Sequence, residues 1–458
     1  MSSSNVETLV VGGGISGLYA ALLLARRGRR VRVIERAARL GGLAGAEEFR
    51  GIPCDLGSHR IHPSALEKPL FRELNARTPL LRRPRRGVLL LGDRRVPYPP
   101  TAIALARAIG LPASLSTAAG FLGRAGRRRA FADWESDRAS IQIDRGFERF
   151  VRERVGERAY QAFYRPYAEK VWGLDPAELS QTIAKKRVSA TRPWALVASA
   201  AGRAARWIAG DHEHGDDDPT SSFVYPERGA ASIVAWLSAE LARAGVSIER
   251  GRAFEPGDRD RGPVLFAGDL RDLVPTSLEH RGLYLVYLAL PVERVSESET
   301  YYSPDTRHWF GRVAEIQNYS PALRTPGETI LCVEIPEGAW GPGRDFARGE
   351  LHAALLAQLR WAGIVPRGVT PIESRQRFLP SVYPLYRRGW IDEWRTTMAR
   401  VSTLGNVVPI GRQALFLHIN LDHCADIAEA AVDHVLAGKS TAKWIEKAEE
   451  YLEIRVRD

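Results

Sequence analysis

Gly12-Gly13-Gly14-Ile15-Ser16-Gly17 decides the reading of the chain, because it stands between an apolar run, Thr8 to Val11, and a helical pattern from Leu18 to Arg27 that ends near Gly28. A glycine pattern of this kind becomes specific when it follows a strand and opens a helix. In that setting Gly12 permits the tight turn, Gly14 lets the backbone approach a pyrophosphate, and Gly17 lets helix and strand pack closely. The first helical turn, with Ile15 and Ser16, offers N–H groups and the positive end of the helix dipole to phosphate oxygens. Val31 to Glu35 reads as the next strand. Strand, helix and strand in about 30 residues make a βαβ unit, and hence a buried parallel sheet with a right-handed crossover. Glu35, 23 residues beyond Gly12, is placed to accept hydrogen bonds from a ribose diol.

Working outward, Arg36, Arg39, Gly41, Gly42 and Leu43 follow the second strand directly. A plain NAD enzyme has no particular need of a basic residue and a second glycine pair there. From Glu67 to Trp134 the chain changes character, with Arg82, Arg83, Arg85 and Arg86, then Val96-Pro97-Tyr98-Pro99-Pro100, then an Ala-rich, Arg-studded helical stretch. Residues 140–210 read as mainly helical, and an acidic loop, His212 to Asp218, interrupts them. A helix from about Ala231 to Ala244 and a strand Val246 to Glu249 return to the first pattern. Short β-like runs such as Leu283 to Leu290 and Thr329 to Glu334 precede Asn406 to Ile410 and a final helix from about Cys424 to Leu436.

The 458 residues carry a net charge of +11, 45% hydrophobic and 26% charged residues, which is ordinary globular composition and excludes whole-chain disorder, collagen and coiled coil. Of the 65 basic residues only seven are Lys, so the excess reads as a bias toward Arg spread over the surface as much as a field for an anionic partner. Cys54, Cys332 and Cys424 are far apart, which indicates neither a disulfide framework nor a zinc site. No apolar run approaches the roughly 20 residues that span a bilayer. The expectation is a cytoplasmic protein, with peripheral membrane contact left open by Arg82 to Arg86 and by Thr191 to Gly210, whose Trp194 and Trp207 stand among arginines; a lobe helix packing those apolar residues internally is the alternative. No nucleic-acid motif is present.

The loop Arg39-Leu40-Gly41-Gly42 resembles the second glycine pair of the FAD-dependent superfamily that contains amine oxidases, protoporphyrinogen oxidases, phytoene desaturases and UDP-galactopyranose mutases. The resemblance implies FAD rather than NAD. Gly57-Ser58-His59-Arg60-Ile61-His62 looks like the loop that passes the flavin ring in mutases and their relatives, and Tyr167, Lys170, Trp172 and Gly173 match a further segment of that branch. Gly411-Arg412 and Asn420-Leu421-Asp422 resemble the closing motif, whose turn and helix start approach the pyrimidine edge of the flavin. Two departures weaken a nucleotide-sugar site: the substrate arginine of mutases falls near Ala190, and their tyrosines align with Phe416 and His418.

The resemblance implies a Rossmann-like FAD-binding domain in three parts, 1–66, 223–275 and 403–458, with a mainly helical insertion at 67–222 and a β-rich substrate domain at 276–402. The implied function is an FAD-dependent oxidoreductase passing hydride between a small organic substrate and flavin N5. The rivals are a mutase-like isomerase using reduced flavin on a nucleotide sugar, and a non-catalytic flavin-binding scaffold. Catalytic candidates are His59 and His62, read either as proton carriers or as parts of a structural loop; their setting argues against a metal. Tyr167, Lys170, Trp172, Arg312, Tyr319, Arg377, Tyr383 and Tyr386 are substrate candidates. Each has a plain alternative, as a core aromatic or a structural ion pair. Oligomeric state is left open.

Overall fold

The computed structural model describes residues 6–98, 144–187, 222–340 and 348–456. The Ala-rich stretch to Trp134, Ala190, the Thr191 to Gly210 segment and the acidic loop His212 to Asp218 lie outside them. The chain divides into two compact units, Met1–Arg82 with Val224–His280 and Ile391–Asp458, and Arg83–Phe223 with Arg281–Trp390.

The first unit is built on a five-stranded sheet in the order Val407–Pro409, Val264–Phe266, Thr8–Val11, Val31–Glu35, Ser247–Arg250, with every pairing parallel. Parallel strands are covered on both faces, which is why Val10, Val33, Ile34, Val264 and Val407 are fully buried. The helix Ile15–Arg26 lays Leu18, Leu22 and Leu24 into this core and packs against Leu421–Leu436 and Ala231–Arg243. Each buried aliphatic side chain contributes about 1.5–3 kcal/mol. The predicted α/β fold with a discontinuous parallel sheet is the one observed.

The last helix is a correction. Leu421–Leu436 is followed by a further helix, Thr441–Glu450. Gly438 ends the first, with φ +63°, and the Ser440 hydroxyl caps the second by accepting from the N–H of Lys443 at 3.4 Å. Trp444 secures it in the core by donating to the Pro409 carbonyl at 2.8 Å.

The second unit holds a seven-stranded sheet in the order Glu373–Pro384, His280–Leu290, Thr329–Pro336, Arg312–Glu315, Thr300–Tyr302, Gly87–Leu91, Arg94–Tyr98. Its core joins Val286, Leu288, Leu331 and Val333 to Leu351, Leu355 and Leu359 of the helix Arg348–Trp361. In the segment 67–222, expected to be mainly helical, three short strands at Leu80–Pro84, Gly87–Leu91 and Arg94–Tyr98 come first, and the described helices begin at Phe147. Among the described residues no helix is long and apolar enough to cross a membrane.

Candidate dinucleotide site

The glycine turn sits at the carboxyl ends of the central parallel strands. Gly12 has φ +98°, and a Cβ there would lie 3.0 Å from the Ala267 carbonyl. At Gly17 a Cβ would lie 2.0 Å from the Gly12 oxygen, so helix and strand meet with no space for a side chain. Gly14 is different: a Cβ would have only the Gly41 oxygen within 4 Å, at 3.9 Å. Gly14 is the N-cap of Ile15–Arg26, whose N-terminus carries no side-chain cap and no acidic residue. Uncapped N–H groups behind a clear backbone surface fit an anionic diphosphate.

Gly41 is drawn onto this turn by its N–H, which donates to the Gly13 carbonyl at 2.7 Å, and Gly14 and Gly41 form a parallel bridge. Glu35 closes the other side: its carboxylate accepts from the N–H of Gly13 at 2.6 Å and from that of Ala37 at 2.7 Å. Arg36 pairs with Asp272 at 2.8 Å, and Arg39, largely exposed, reaches Glu47 at 3.5 Å. Leu43 lies in the short helical turn Gly42–Ala44. Gly411 brings the closing turn against the helix start, since a Cβ there would meet the Ser16 hydroxyl at 2.6 Å. Arg412 lies in that turn, half-buried.

The loop after strand Ile52–Asp55 is held at both ends. Asp55 is buried, accepting from the Tyr225 hydroxyl at 2.7 Å and the N–H of Ala230 at 3.0 Å. Burial pushes its carboxyl up to about 7, against these two bonds. At the far end Ile61 exchanges backbone hydrogen bonds with Val224 at 3.0 and 2.8 Å. Gly57, Ser58 and His59 lie between, with Ser58 and His59 half-buried. His62 is engaged locally: its Nδ1 accepts from the N–H of Ser64 at 3.2 Å and lies 2.8 Å from the Ser64 hydroxyl. The helix start at Leu421 is also partly occupied, because Asn420 and His423 form a capping box. Asp422 lies 3.9 Å from the ammonium of Lys68.

In the second unit, the residues expected to meet substrate are largely bonded to their own frame. Lys170 is buried, donating to the carbonyls of Ser303 at 2.8 Å and Asp305 at 2.7 Å. Burial pushes its pKa down to about 7. Arg312 makes a two-pronged pair with Glu334 on the adjacent strand at 2.8 and 2.6 Å. Tyr319 is buried with its hydroxyl 2.8 Å from that of Thr300, and Tyr386 packs on Trp390. Tyr167 stacks on Phe163, and Trp172 meets Tyr383 edge-on at 6.2 Å. Tyr167, Tyr383 and Arg377 are half-buried. In the basic cluster, Arg83 and Arg85 turn toward the carbonyls of Asn318 and Ser222 at 3.5 and 3.3 Å.

Two buried polar residues lie outside every sequence motif: Tyr225, whose bond to Asp55 spans 170 positions, and His280. His280 is 7% exposed, and neither of its ring nitrogens has a hydrogen-bond partner among the described residues.

Residues 10–75 match the NAD(P)-binding Rossmann-like domain family. An uncharacterised protein of Mycobacterium tuberculosis is 42% identical over 79 residues, 17% of this chain and 15% of its own length. A probable UDP-galactopyranose mutase of Klebsiella pneumoniae is 25% identical over 191 residues, 40% of this chain and 45% of its own. The chain therefore spans less than half the length of either relative. Among solved structures, reduced UDP-galactopyranose mutase superposes with a TM-score of 0.72 at 16% identity, covering 94% of each chain. A putrescine oxidase does so with 0.64 at 14% identity, covering 95% of this chain and 99% of its own. The chain shares its fold with these two solved structures, and residues 10–75 form an NAD(P)-binding Rossmann-like domain.

Proposed function

We propose that this chain is an FAD-dependent oxidoreductase that passes hydride between a small organic substrate and flavin N5. The observation that carries the reading is the clear backbone surface at Gly14, the N-cap of a helix without a side-chain cap, with the Glu35 carboxylate on the N–H of Gly13 and the Gly411 turn against Ser16. Bound there, a flavin supplies the hydride chemistry itself. The protein's part is to hold it and to orient what reacts. N–H groups of the Ile15–Arg26 helix bind the diphosphate, with Arg39 and Arg412 adding charge. Glu35 keeps acceptor capacity for a ribose, since each carboxylate oxygen takes more than one hydrogen bond. The Asp55–Tyr225 and Ile61–Val224 ties fix the loop carrying His59. Tyr167, Tyr383 and Arg377, together with the Glu334-paired Arg312, are the substrate candidates that are half-buried rather than enclosed.

A mutase-like isomerase is the second reading, favoured by the length of the Klebsiella alignment and by the TM-score to the mutase structure. Against it, Phe416 and His418 stand where the resemblance calls for tyrosines, and both are buried.

An anaerobic spectral screen of FAD-loaded protein against amines, porphyrinogens, polyenes and nucleotide sugars tests the proposal. Bleaching of the flavin by an amine, porphyrinogen or polyene is the expected result. Turnover of a nucleotide sugar only after prior reduction of the flavin would replace the oxidoreductase by the isomerase.

A further inference from the structure

The helix Arg348–Trp361 turns Leu351, Leu355 and Leu359, four residues apart, into the core of the second unit. Trp361 comes two positions after Leu359, about 200° further round the helix, and so points away from that core. It is 56% exposed, more than any other large apolar side chain among the described residues. Gly363, with φ +65°, ends the helix, and the N–H of Ile364 donates back to the Leu359 carbonyl at 2.9 Å. The indole at this end is held in place. The Arg307 guanidinium sits over its ring at 4.6 Å, and the buried His308 ring packs on it at 5.0 Å. Arg307 is itself fixed by the Asp305 carboxylate, through bonds of 2.6 to 3.0 Å.

Basic groups surround the ring. Arg95, on the strand Arg94–Tyr98 at the end of the sheet, is exposed and donates to the carbonyls of Ala362 and Gly363. Arg360 donates to the Val369 carbonyl at 2.7 Å, which ties the exposed residues Pro366 and Arg367 to the same helix end. The carboxylates are Asp305, engaged by Arg307, and Asp93, whose charge also acts on Arg307. Four arginines against two aspartates leave this surface positive.

We propose that this helix end is where the protein meets an anionic lipid surface. Charge complementarity selects that partner, and the aromatic residue matches its depth. An indole stands at the boundary between headgroups and acyl chains, with its apolar body inward and its N–H toward water. Guanidinium groups take lipid phosphates two hydrogen bonds at a time, and each cation near an anionic leaflet adds to the attraction. One indole and a few arginines make a shallow, reversible contact, in a chain whose described residues include no helix long and apolar enough to cross a membrane. The surface uses none of the residues that the sequence marked for such a contact.

The test mixes the purified chain with phosphatidylglycerol–phosphatidylcholine vesicles or with phosphatidylcholine vesicles alone, and reads the bound fraction by co-sedimentation. Wild type should bind the anionic vesicles and not the neutral ones, and should be released as salt is raised. Trp361→Ser should weaken binding by about tenfold and Arg367→Gln by about fivefold, with melting temperatures close to wild type because both side chains are exposed. Brominated anionic lipid should quench tryptophan emission more in wild type than in Trp361→Ser. Arg367→Gln, in an exposed turn, decides the matter should Trp361→Ser melt early. Wild type that stays in the supernatant with anionic vesicles, equal binding to neutral ones, or a folded variant that binds as tightly as wild type would each overturn the assignment. A wild-type dimer that Trp361→Ser converts to monomer, without vesicle binding, would give the surface to a second copy of the chain instead.

Discussion

The turn at Gly12–Gly17 and the sheet region around Lys170 and Arg312 were both marked from sequence as binding surfaces, and they differ in what makes the surface. In the first unit it is backbone: glycine positions, a helix start without a side-chain cap, and one carboxylate that fixes the turn. In the second unit the candidates are side chains, and Lys170, Arg312 and Tyr319 have spent their polar groups internally. The Lys170 ammonium holds two carbonyls more than 130 residues away, and the Arg312 guanidinium is matched to Glu334. A backbone site is set by what is missing at each position, whereas a side-chain site depends on which partner the fold delivers.

The sharpest way to break this contrast lies within the glycine turn. Gly17→Val should destabilise the protein by about 3 kcal/mol, because its Cβ must enter the Gly12 carbonyl. Gly14→Val should leave the melting temperature close to wild type yet weaken FAD binding by about 100-fold, since the space it fills is open in the fold. Melting curves and FAD titrations of the two variants separate packing from binding, and a Gly14→Val protein that keeps its FAD would end the contrast.

Arg312→Ala tests the other side. It strands the buried Glu334 carboxylate and should cost about 3 kcal/mol in denaturant unfolding. A variant of unchanged stability with lost turnover would instead make Arg312 a substrate residue.

Lys170 gives a smaller, pH-dependent effect. Its pKa is lowered from 10.5 to about 7 in the fold, so between those values the unfolded chain binds more protons and stability rises with pH. Below pH 7 the cost of the buried charge is present in full. The melting temperature of wild type minus that of Lys170→Met should therefore climb from pH 7 to pH 10; a flat difference would show that Lys170 stays charged on its two carbonyls.

The parallel sheet and its glycine turn were legible because their signals are local: apolar runs four or five residues long, glycines at fixed offsets, a carboxylate at a strand end. The helix at Thr441–Glu450 was readable in principle from Gly438 and Ser440. The bonds of Lys170 to Ser303 and Asp305, and the packing of His280 on Phe416, join positions more than 130 apart, and no periodicity encodes them. Arg312 and Glu334 stand closer in sequence, but only the register of their two strands sets them opposite one another.

The role proposed for the first unit stands or falls on FAD being held at the Gly14 surface. Titration of purified apo protein with FAD, followed by the visible absorbance of the protein-bound flavin, tests it most directly. Wild type should saturate at one FAD per chain, and folded Gly14→Val should lose that binding. A wild-type protein that stays colourless after reconstitution would contradict it.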